Sequence, residues 1–226
     1  MSDVYERRIP VATHGRFLVA RPQLASPRRL ILGFHGYAEN AAVQLARLQS
    51  LSRAPFFLLA SVQGLHRFYR RQDNEVVASW MTREDRDLAI ADNAAYVLGI
   101  ITALEDEWGL IPEPIVFAGF SQGVAMAFRA ACHLAARTRR AAAVVAIGGD
   151  VPSELDAPAL SRLRAVLLGR GERDDWYTEE KWSSDIERLQ AAGVALDARG
   201  FDAGHEWTDE CSAAADTLID GLPSDD

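Results

Sequence analysis

The stretch Pro114-Ile-Val-Phe-Ala-Gly-Phe-Ser-Gln-Gly-Val-Ala-Met-Ala-Phe128 decides the fold of this chain. An apolar run, Ile115 to Ala118, predicts a buried strand, and the alanine-rich residues after the Gly-Phe-Ser-Gln-Gly turn predict a helix. A G-x-S-x-G motif between a strand and a helix is typical of a nucleophile elbow, a strained turn that raises a serine hydroxyl above the sheet. Gly119 and Gly123 lack the bulk that such a turn excludes. Ser121 is therefore a candidate nucleophile at a helix N-terminus, and the alternative is a tight turn that merely contains a serine.

The rest of the chain surrounds this stretch with alternating strands and helices. Apolar runs predict further buried strands at residues 29–34 and 55–60, and residues 141–147, 163–168 and 194–201 predict three more strands. Helical patterns between them predict an α/β fold with a mostly parallel central sheet and helices on both faces. Residues 4–12 and 16–20 predict an N-terminal antiparallel hairpin, and residues 65–81 predict an irregular loop. With no linker or repeat, we expect a single domain over residues 1–226.

Composition limits the class of protein. The 226 residues are 49% hydrophobic and 25% charged, as in an ordinary globular protein, and the net charge of −8 argues against nucleic-acid binding. The N-terminus has no apolar signal region, and no uninterrupted apolar run is long enough to span a bilayer, so we expect no integral membrane association. Cys132 and Cys211 lack metal-ligand spacing. These features favour a cytoplasmic protein.

Residues suited to acyl transfer follow several of the predicted strands. Serine needs an imidazole to take its proton and a carboxylate to orient that imidazole. His205 is the strongest base candidate because it follows the last strand in a Gly-His-Glu turn; the weaker candidates are His133, His14 and His66. Asp174, in the loop after the strand at 163–168, gives the chain order Ser, Asp, His that is expected for this fold.

The acid has several alternatives, and the oxyanion hole has two candidate donors. Asp175, Glu172 and Asp150 also lie after strands and are kept as alternatives to Asp174. An oxyanion hole needs two backbone N–H groups, of which the residue after the nucleophile, Gln122, would supply one. The other would come from the loop His35-Gly36-Tyr37-Ala38, most simply from Tyr37, unless His35-Gly36 only ends a strand.

At these residues the sequence resembles the phospholipase/carboxylesterase family of α/β-hydrolases, which includes the acyl-protein thioesterases. Gly-Phe-Ser-Gln-Gly at 119–123 matches the elbow of that family residue for residue. The segments His35-Gly36, Ser61-Val-Gln-Gly64, Trp80 and Gly204-His205-Glu206 are similar to further motifs of the family. The resemblance covers about residues 30–218. It implies the α/β-hydrolase fold and hydrolysis of carboxylic esters or thioesters without a cofactor.

Two segments depart from the family pattern. At the acid, the family usually has His-Gly-x-x-Asp-Pro-x-Val-Pro, whereas residues 170–178 read Arg-Gly-Glu-Arg-Asp-Asp-Trp-Tyr-Thr. The oxyanion segment, residues 35–40, reads His-Gly-Tyr-Ala-Glu-Asn in place of the more usual His-Gly-x-Gly-Asp. The shape of the pocket should differ accordingly.

Residues 65–71, Leu-His-Arg-Phe-Tyr-Arg-Arg, are the most suggestive specificity element, although a solvated loop with arginines paired to Asp73, Glu75 and Asp85 is the favoured interpretation. The candidate substrate-binding residues are His35, Phe68, Trp80, Trp176 and Trp207. We therefore predict a serine hydrolase for small or medium acyl esters. The alternatives are a peptidase or amidase on the same fold, and a non-catalytic ligand-binding protein. The sequence leaves the oligomeric state open, a homodimer included.

Overall fold

A seven-stranded sheet carries the elbow stretch at its centre in the computed structural model, which describes residues 3–22, 29–109, 115–138 and 142–222. The strands are β1 (Arg16–Ala20), β2 (Leu30–Phe34), β3 (Leu58–Gln63), β4 (His66–Tyr69), β5 (Val76–Ser79), β6 (Ile115–Phe120), β7 (Ala142–Ile147), β8 (Ala165–Gly171) and β9 (Ala195–Phe201). The large sheet has the order β1-β3-β2-β6-β7-β8-β9, and only β1 runs antiparallel to its neighbour. The predicted, mostly parallel sheet is therefore confirmed.

Helices cover both faces of this sheet. They are α1 (Ala41–Gln49), α2 (Arg86–Trp108), α3 (Gln122–Thr138), α4 (Ala157–Leu160), α5 (Glu179–Ala191) and α6 (Asp209–Asp220), with a 3₁₀ turn at Ala54–Phe56. Side chains of β6 alternate between two cores, since Ile115 and Phe117 pack with α2 to α5 while Val116 and Ala118 pack with α1 and α6. Burial of all six residues of β6 explains its uninterrupted apolar sequence.

The N-terminal part of the chain differs from the sequence-based expectation. Residues 4–12 form no strand, and Val4 and Ile9 are exposed. The antiparallel partner of β1 is instead β3, with Leu18 opposite Ser61. The alternation of residues 4–20 predicts strands but does not say which strand each one pairs with. Pairing of β1 with the buried strand β3 is favoured over an exposed hairpin because it satisfies more backbone hydrogen-bonding groups.

The segment predicted to be irregular, residues 65–81, contains the β4–β5 hairpin, whose turn places Asn74 in the left-handed region at φ 57°. Thr82 does not cap the helix that follows. Its hydroxyl accepts a hydrogen bond from the Glu84 N–H at 3.2 Å, and α2 starts only after Asp85. The hairpin lies beside the loop that follows β2, because Ala78 forms a β-bridge with Glu39.

Helix α2 is long and apolar enough, by length and composition alone, to cross a membrane, although Asp87 and Asp92 interrupt its apolar sequence. The same test selects core helices of globular proteins. Its residues Val97, Ile101 and Leu104 are buried in the core shared with α3. The finding is weak evidence for a membrane span, and the lack of integral membrane association stays a prediction.

The parallel register brings the carboxyl ends of the central strands to one edge of the sheet. Phe34 of β2 lies opposite Gly119 of β6, and Phe120 lies opposite Ile147 of β7. Gly171 of β8 lies opposite Phe201 of β9. The loops after these five strands therefore meet at one edge, where ligands of open α/β sheets bind.

Candidate active site

The elbow serine is held in a strained turn between β6 and α3. Ser121 has φ 52°, a left-handed conformation that is uncommon for residues with a side chain. Its N–H donates to the Ile147 carbonyl at 3.0 Å, and its carbonyl accepts from the Val124 N–H at 2.9 Å. A Cβ atom added to Gly123 would lie 2.1 Å from the Phe34 carbonyl oxygen, so the second motif glycine is required by close backbone approach.

A continuous hydrogen-bonded chain joins the three residues that the sequence predicts. Ser121 Oγ lies 2.8 Å from His205 Nε2, and His205 Nδ1 lies 2.7 Å from Asp174 Oδ2. Since an ionised carboxylate only accepts, Nδ1 carries a proton and Nε2 is free to accept the serine proton. Asp174 is 3% exposed, which shields its bond to His205 from competing water.

The loop after β8 fixes the acid through its own backbone. The second oxygen of Asp174, Oδ1, accepts from the Trp176 N–H at 2.8 Å and the Tyr177 N–H at 2.9 Å. Arg170 is buried beneath the loop and donates to the Tyr177 carbonyl at 2.8 Å and the Glu172 carbonyl at 3.2 Å. Together these contacts leave Asp174 little rotational freedom.

The alternative acids occupy other positions. Asp175 and Glu172 are exposed, and Asp150 is also exposed, with Oδ1 3.7 Å from Lys181 Nζ. The carboxylate that contacts His205 belongs to Asp174.

The loop after β7 contributes two glycines that the sequence analysis did not assign to the site. Gly148 has φ 66°, and a Cβ atom there would lie 3.4 Å from Asp174 Oδ2 and 3.5 Å from the His205 ring. A Cβ atom on Gly149 would lie 2.3 Å from the Ser121 carbonyl oxygen. Any side chain at Gly149 would displace the elbow. A Gly-Gly pair directly after a buried strand was the available signal.

The segment 35–40, which we call the oxyanion loop, is fixed by several contacts. Ala38 has φ 56°, and its N–H donates to the Ala78 carbonyl of β5 at 3.0 Å. The Gly36 N–H donates to Glu39 Oε2 at 2.7 Å. Within the described part of the chain, neither the Tyr37 N–H nor the Gln122 N–H donates to a protein acceptor. These are the two N–H groups that the sequence predicts as oxyanion donors.

The side chain of Gln122 has a separate structural role that the sequence did not reveal. Its Oε1 accepts from the Trp80 N–H at 3.0 Å, and its Nε2 donates to the Met81 carbonyl at 3.2 Å. These bonds tie the start of α3 to the segment after β5.

His35 and Trp80, two of the candidate substrate-binding residues, are both 0% exposed. His35 Nε2 accepts from the Gly64 N–H at 3.0 Å, and Nδ1 lies 2.7 Å from the Gly36 carbonyl oxygen. Trp80 Nε1 donates to the His35 carbonyl at 2.8 Å. Burial lowers the pKa of His35, which favours its neutral form. The hydrogen bonds of both side chains support the oxyanion loop, and neither side chain is accessible to a substrate.

The other candidate substrate-binding residues lie nearer to solvent. Trp176 is 75% exposed on the acid loop, and the Phe68 ring packs 5.7 Å from that of Tyr37. Trp207 is partly buried, and its Nε1 donates to Ser212 Oγ at 2.9 Å. In the segment 65–71, Arg70 pairs with Asp73 and Glu75, in agreement with the favoured interpretation of that segment. Among the described residues there is no group of three or more His, Cys, Asp or Glu side chains that could hold a metal ion.

Comparison with known proteins defines the class of this fold. No family model and no curated protein matches the sequence. Similar solved structures include esterase PE8, with a TM-score of 0.71, 18% identity and coverage of 93% of this chain and 100% of that chain. A carboxylesterase from Mesorhizobium loti has a TM-score of 0.70, 19% identity and coverage of 92% and 94%. Acyl-protein thioesterase 2 from Zea mays has a TM-score of 0.65, 18% identity and coverage of 92% and 98%.

These similarities establish that the chain has the α/β-hydrolase fold. Within that class, the similar structures are carboxylesterases and acyl-protein thioesterases, the same group that the sequence motifs resemble.

Proposed function

We propose that this protein is a serine hydrolase that cleaves carboxylic esters or thioesters of small to medium acyl groups through an acyl-enzyme. The observation that carries the proposal is the hydrogen-bonded chain from Ser121 Oγ through the His205 ring to the buried Asp174 carboxylate. The names of the similar structures support both ester and thioester substrates. A cytoplasmic location stays a prediction.

The geometry fits a two-step acyl transfer. Ser121 Oγ would attack the acyl carbonyl carbon while His205 Nε2 takes its proton, and Asp174 would stabilise the resulting imidazolium. Collapse of the tetrahedral intermediate breaks the bond to the leaving oxygen or sulfur, which receives the proton from His205. A water molecule, deprotonated by His205, would then attack the acyl-enzyme and release the acid and free Ser121.

The negative charge of the tetrahedral oxygen needs donors that are already in place. The backbone N–H groups of Tyr37 and Gln122 are the donors in this proposal, because Gln122 directly follows Ser121, Tyr37 lies in the loop after β2, and neither N–H has a described protein acceptor. Gln122 is also the first residue of α3, so the partial positive charge at the N-terminus of the helix adds to the stabilisation.

Replacement of the nucleophile tests the proposal directly. We expect Ser121→Ala to abolish hydrolysis of p-nitrophenyl acetate and labelling by a fluorophosphonate probe, with circular dichroism unchanged. Ser183→Ala, which alters an exposed serine on α5, is the matched control and should leave both signals intact. Labelling that persists in the Ser121→Ala protein would refute the assignment.

The alternative functions are separated by a substrate panel. Acyl-thioesters and p-nitrophenyl esters of increasing chain length would define the acyl preference, and p-nitroanilides would reveal a peptidase or amidase. A folded wild-type protein with neither hydrolysis nor fluorophosphonate labelling would favour a non-catalytic ligand-binding protein instead.

A further inference from the structure

We propose that Glu39 and Arg47 are positioning residues of the active site: their ion pair fixes the oxyanion loop and so aims the Tyr37 N–H. This inference rests on the proposed function, since it concerns how one of the proposed oxyanion donors is held. Neither side chain is placed in contact with substrate.

A backbone donor can be aimed only through the conformation of its loop. The Glu39 N–H donates to the Gly36 carbonyl at 3.3 Å, and the Glu39 side chain accepts from the Gly36 N–H at 2.7 Å. Glu39 therefore closes the turn around Tyr37 with two hydrogen bonds to Gly36, one through its backbone and one through its side chain. A rotation of the Glu39 side chain would release the Gly36 N–H and alter the direction of the next peptide unit.

Arg47 prevents that rotation. Its Nη1 and Nη2 donate to Glu39 Oε2 and Oε1, each at 2.6 Å, in a bidentate pair. The side chains of Arg47 and Glu39 are only 16% and 22% exposed, so water competes weakly for the pair. Burial by itself raises the pKa of Glu39, but the bonds from Arg47 and Gly36 outweigh it and lower the pKa, so the carboxylate stays ionised.

The guanidinium of Arg47 also contacts the opposite side of the site. It lies 4.2 Å from the centroid of the Phe120 ring, and that ring lies 5.0 Å from the His205 ring. Phe120 directly precedes the nucleophile. The pair thus links the oxyanion loop, through Glu39, to Phe120, the residue before the elbow serine.

Attachment of α1 to the sheet does not depend on this pair. Asn40 caps the helix by accepting from the Ala42 and Val43 N–H groups, and Ala41 and Leu48 are buried in the cores. Gln44, also buried, donates to the Ala118 carbonyl at 3.3 Å. Loss of the Glu39–Arg47 pair should therefore leave α1 in place and loosen mainly the loop that precedes it.

The experiment compares Arg47→Met with Arg129→Met. Arg129 is also buried and pairs with Glu154 at 2.6 Å, but on the side of the molecule formed by α2 and α3. We expect both variants to lower the melting temperature. Only Arg47→Met should lower kcat for p-nitrophenyl acetate, by about 10- to 100-fold with KM within about twofold, because a misplaced donor is lost from the transition state alone.

A double-mutant cycle and a pH profile complete the test. Glu39→Gln should lower kcat as Arg47→Met does, and the two changes combined should cost no more than either alone, because the pair acts as a unit. The acid limb of kcat/KM should stay within about 0.3 pH units of wild type, since the contact of His205 with Asp174 is unaltered.

Two results would overturn the inference. One is an Arg47→Met protein that is folded and keeps its kcat within about twofold. The other is a displaced acid limb with an unchanged kcat plateau, which would show that Arg47 acts through Phe120 on His205. A wild-type protein without Ser121-dependent hydrolysis would instead refute the proposed function, and the inference with it.

Discussion

The acid loop after β8 and the oxyanion loop after β2 flank Ser121, and they are built in opposite ways. In the acid loop the proposed working group is the Asp174 carboxylate, a side chain, and the backbone N–H groups of Trp176 and Tyr177 hold it. In the oxyanion loop the proposed working group is the backbone N–H of Tyr37. The conformation of that loop is held by side chains such as Glu39 and His35. The identity of the residue thus matters at Asp174, whereas the conformation of the loop matters at Tyr37.

The largest effect on kcat should come from a substitution in the acid loop. Asp174→Asn should reduce kcat by about 10⁴-fold with the fold intact, because the amide leaves His205 in the wrong tautomer. Asp175→Asn and Asp150→Asn are the matched controls, and each should keep wild-type kcat. Steady-state hydrolysis of p-nitrophenyl acetate provides the measurement. A greater loss in either control than in Asp174→Asn would give the role of acid to that residue.

The oxyanion loop should tolerate a change of the Tyr37 side chain but not the loss of the Tyr37 backbone N–H. Tyr37→Pro removes the donor and should lower kcat by about 10²- to 10³-fold. Tyr37→Ala retains the donor and should keep kcat within about threefold, since the Tyr37 side chain is 62% exposed. Equal losses in both variants would contradict the contrast and assign the effect to the tyrosine side chain. Melting temperatures establish that both proteins are folded.

Arg170 is the side chain that supports the acid loop. Arg170→Met leaves the Tyr177 and Glu172 carbonyls without their donor and should lower the free energy of unfolding by about 1–3 kcal/mol. We also expect kcat to fall about tenfold, because Asp174 loses part of its support. Urea unfolding and kcat are measured together. The control is Arg199→Met, which removes a partly exposed ion pair with Asp197 on β9. A stability loss without any change in kcat would limit Arg170 to a structural role.

The smallest effect is a difference in acid sensitivity. The folded pKa of His35 is lowered by burial, so between that pKa and about 6.5 the unfolded chain binds a proton that the folded chain does not. The contribution of His35 to stability is complete above about pH 6.5 and falls as the pH decreases below it, by about 1 kcal/mol per pH unit.

Urea unfolding at pH 7.5 and 5.5 measures this dependence. His35→Gln should be less stable than wild type at both values but should lose less stability between them. The pKa of His133 is also lowered by burial, so this residue also contributes to the pH dependence of stability. His133→Gln is the control that measures its share. An unchanged pH dependence in His35→Gln would refute the prediction.

The same contrast explains how much of the site could be predicted from the sequence. Ser121, Asp174 and His205 are recognisable because their proposed chemistry resides in side chains that follow predicted strands in the order Ser, Asp, His. The Glu39–Arg47 pair is eight residues apart, a spacing that matches no local helix rule, and it forms only because Glu39 lies outside α1. The role of Arg170 likewise depends on how a loop folds back over its own strand.

The fold was predictable where burial dictates the pattern and less so at the edges. β2 and β6 are recognisable from their uninterrupted apolar sequences, and β8 from the apolar residues Val166 to Leu168 that precede its Gly-Arg-Gly end. The strands β4 and β5 are only four residues long. β4 is mostly exposed, and β5 is buried at its last three residues but too short to show a strand pattern. The partner of β1 is chosen by long-range register with β3, which no local signal in residues 4–20 encodes.

The position of β9 has a consequence for how the protein loses its activity. This strand lies at the end of the sheet, is only partly buried and hydrogen-bonds to β8 alone among the described strands, yet it leads directly to His205. Transient detachment of such an edge costs less free energy than global unfolding. Detachment would withdraw His205, the proposed general base, while the central strand and Ser121 stay folded. The fraction of competent molecules is then governed by the local stability of one peripheral strand, and hydrogen exchange of the β9 amides would report it directly.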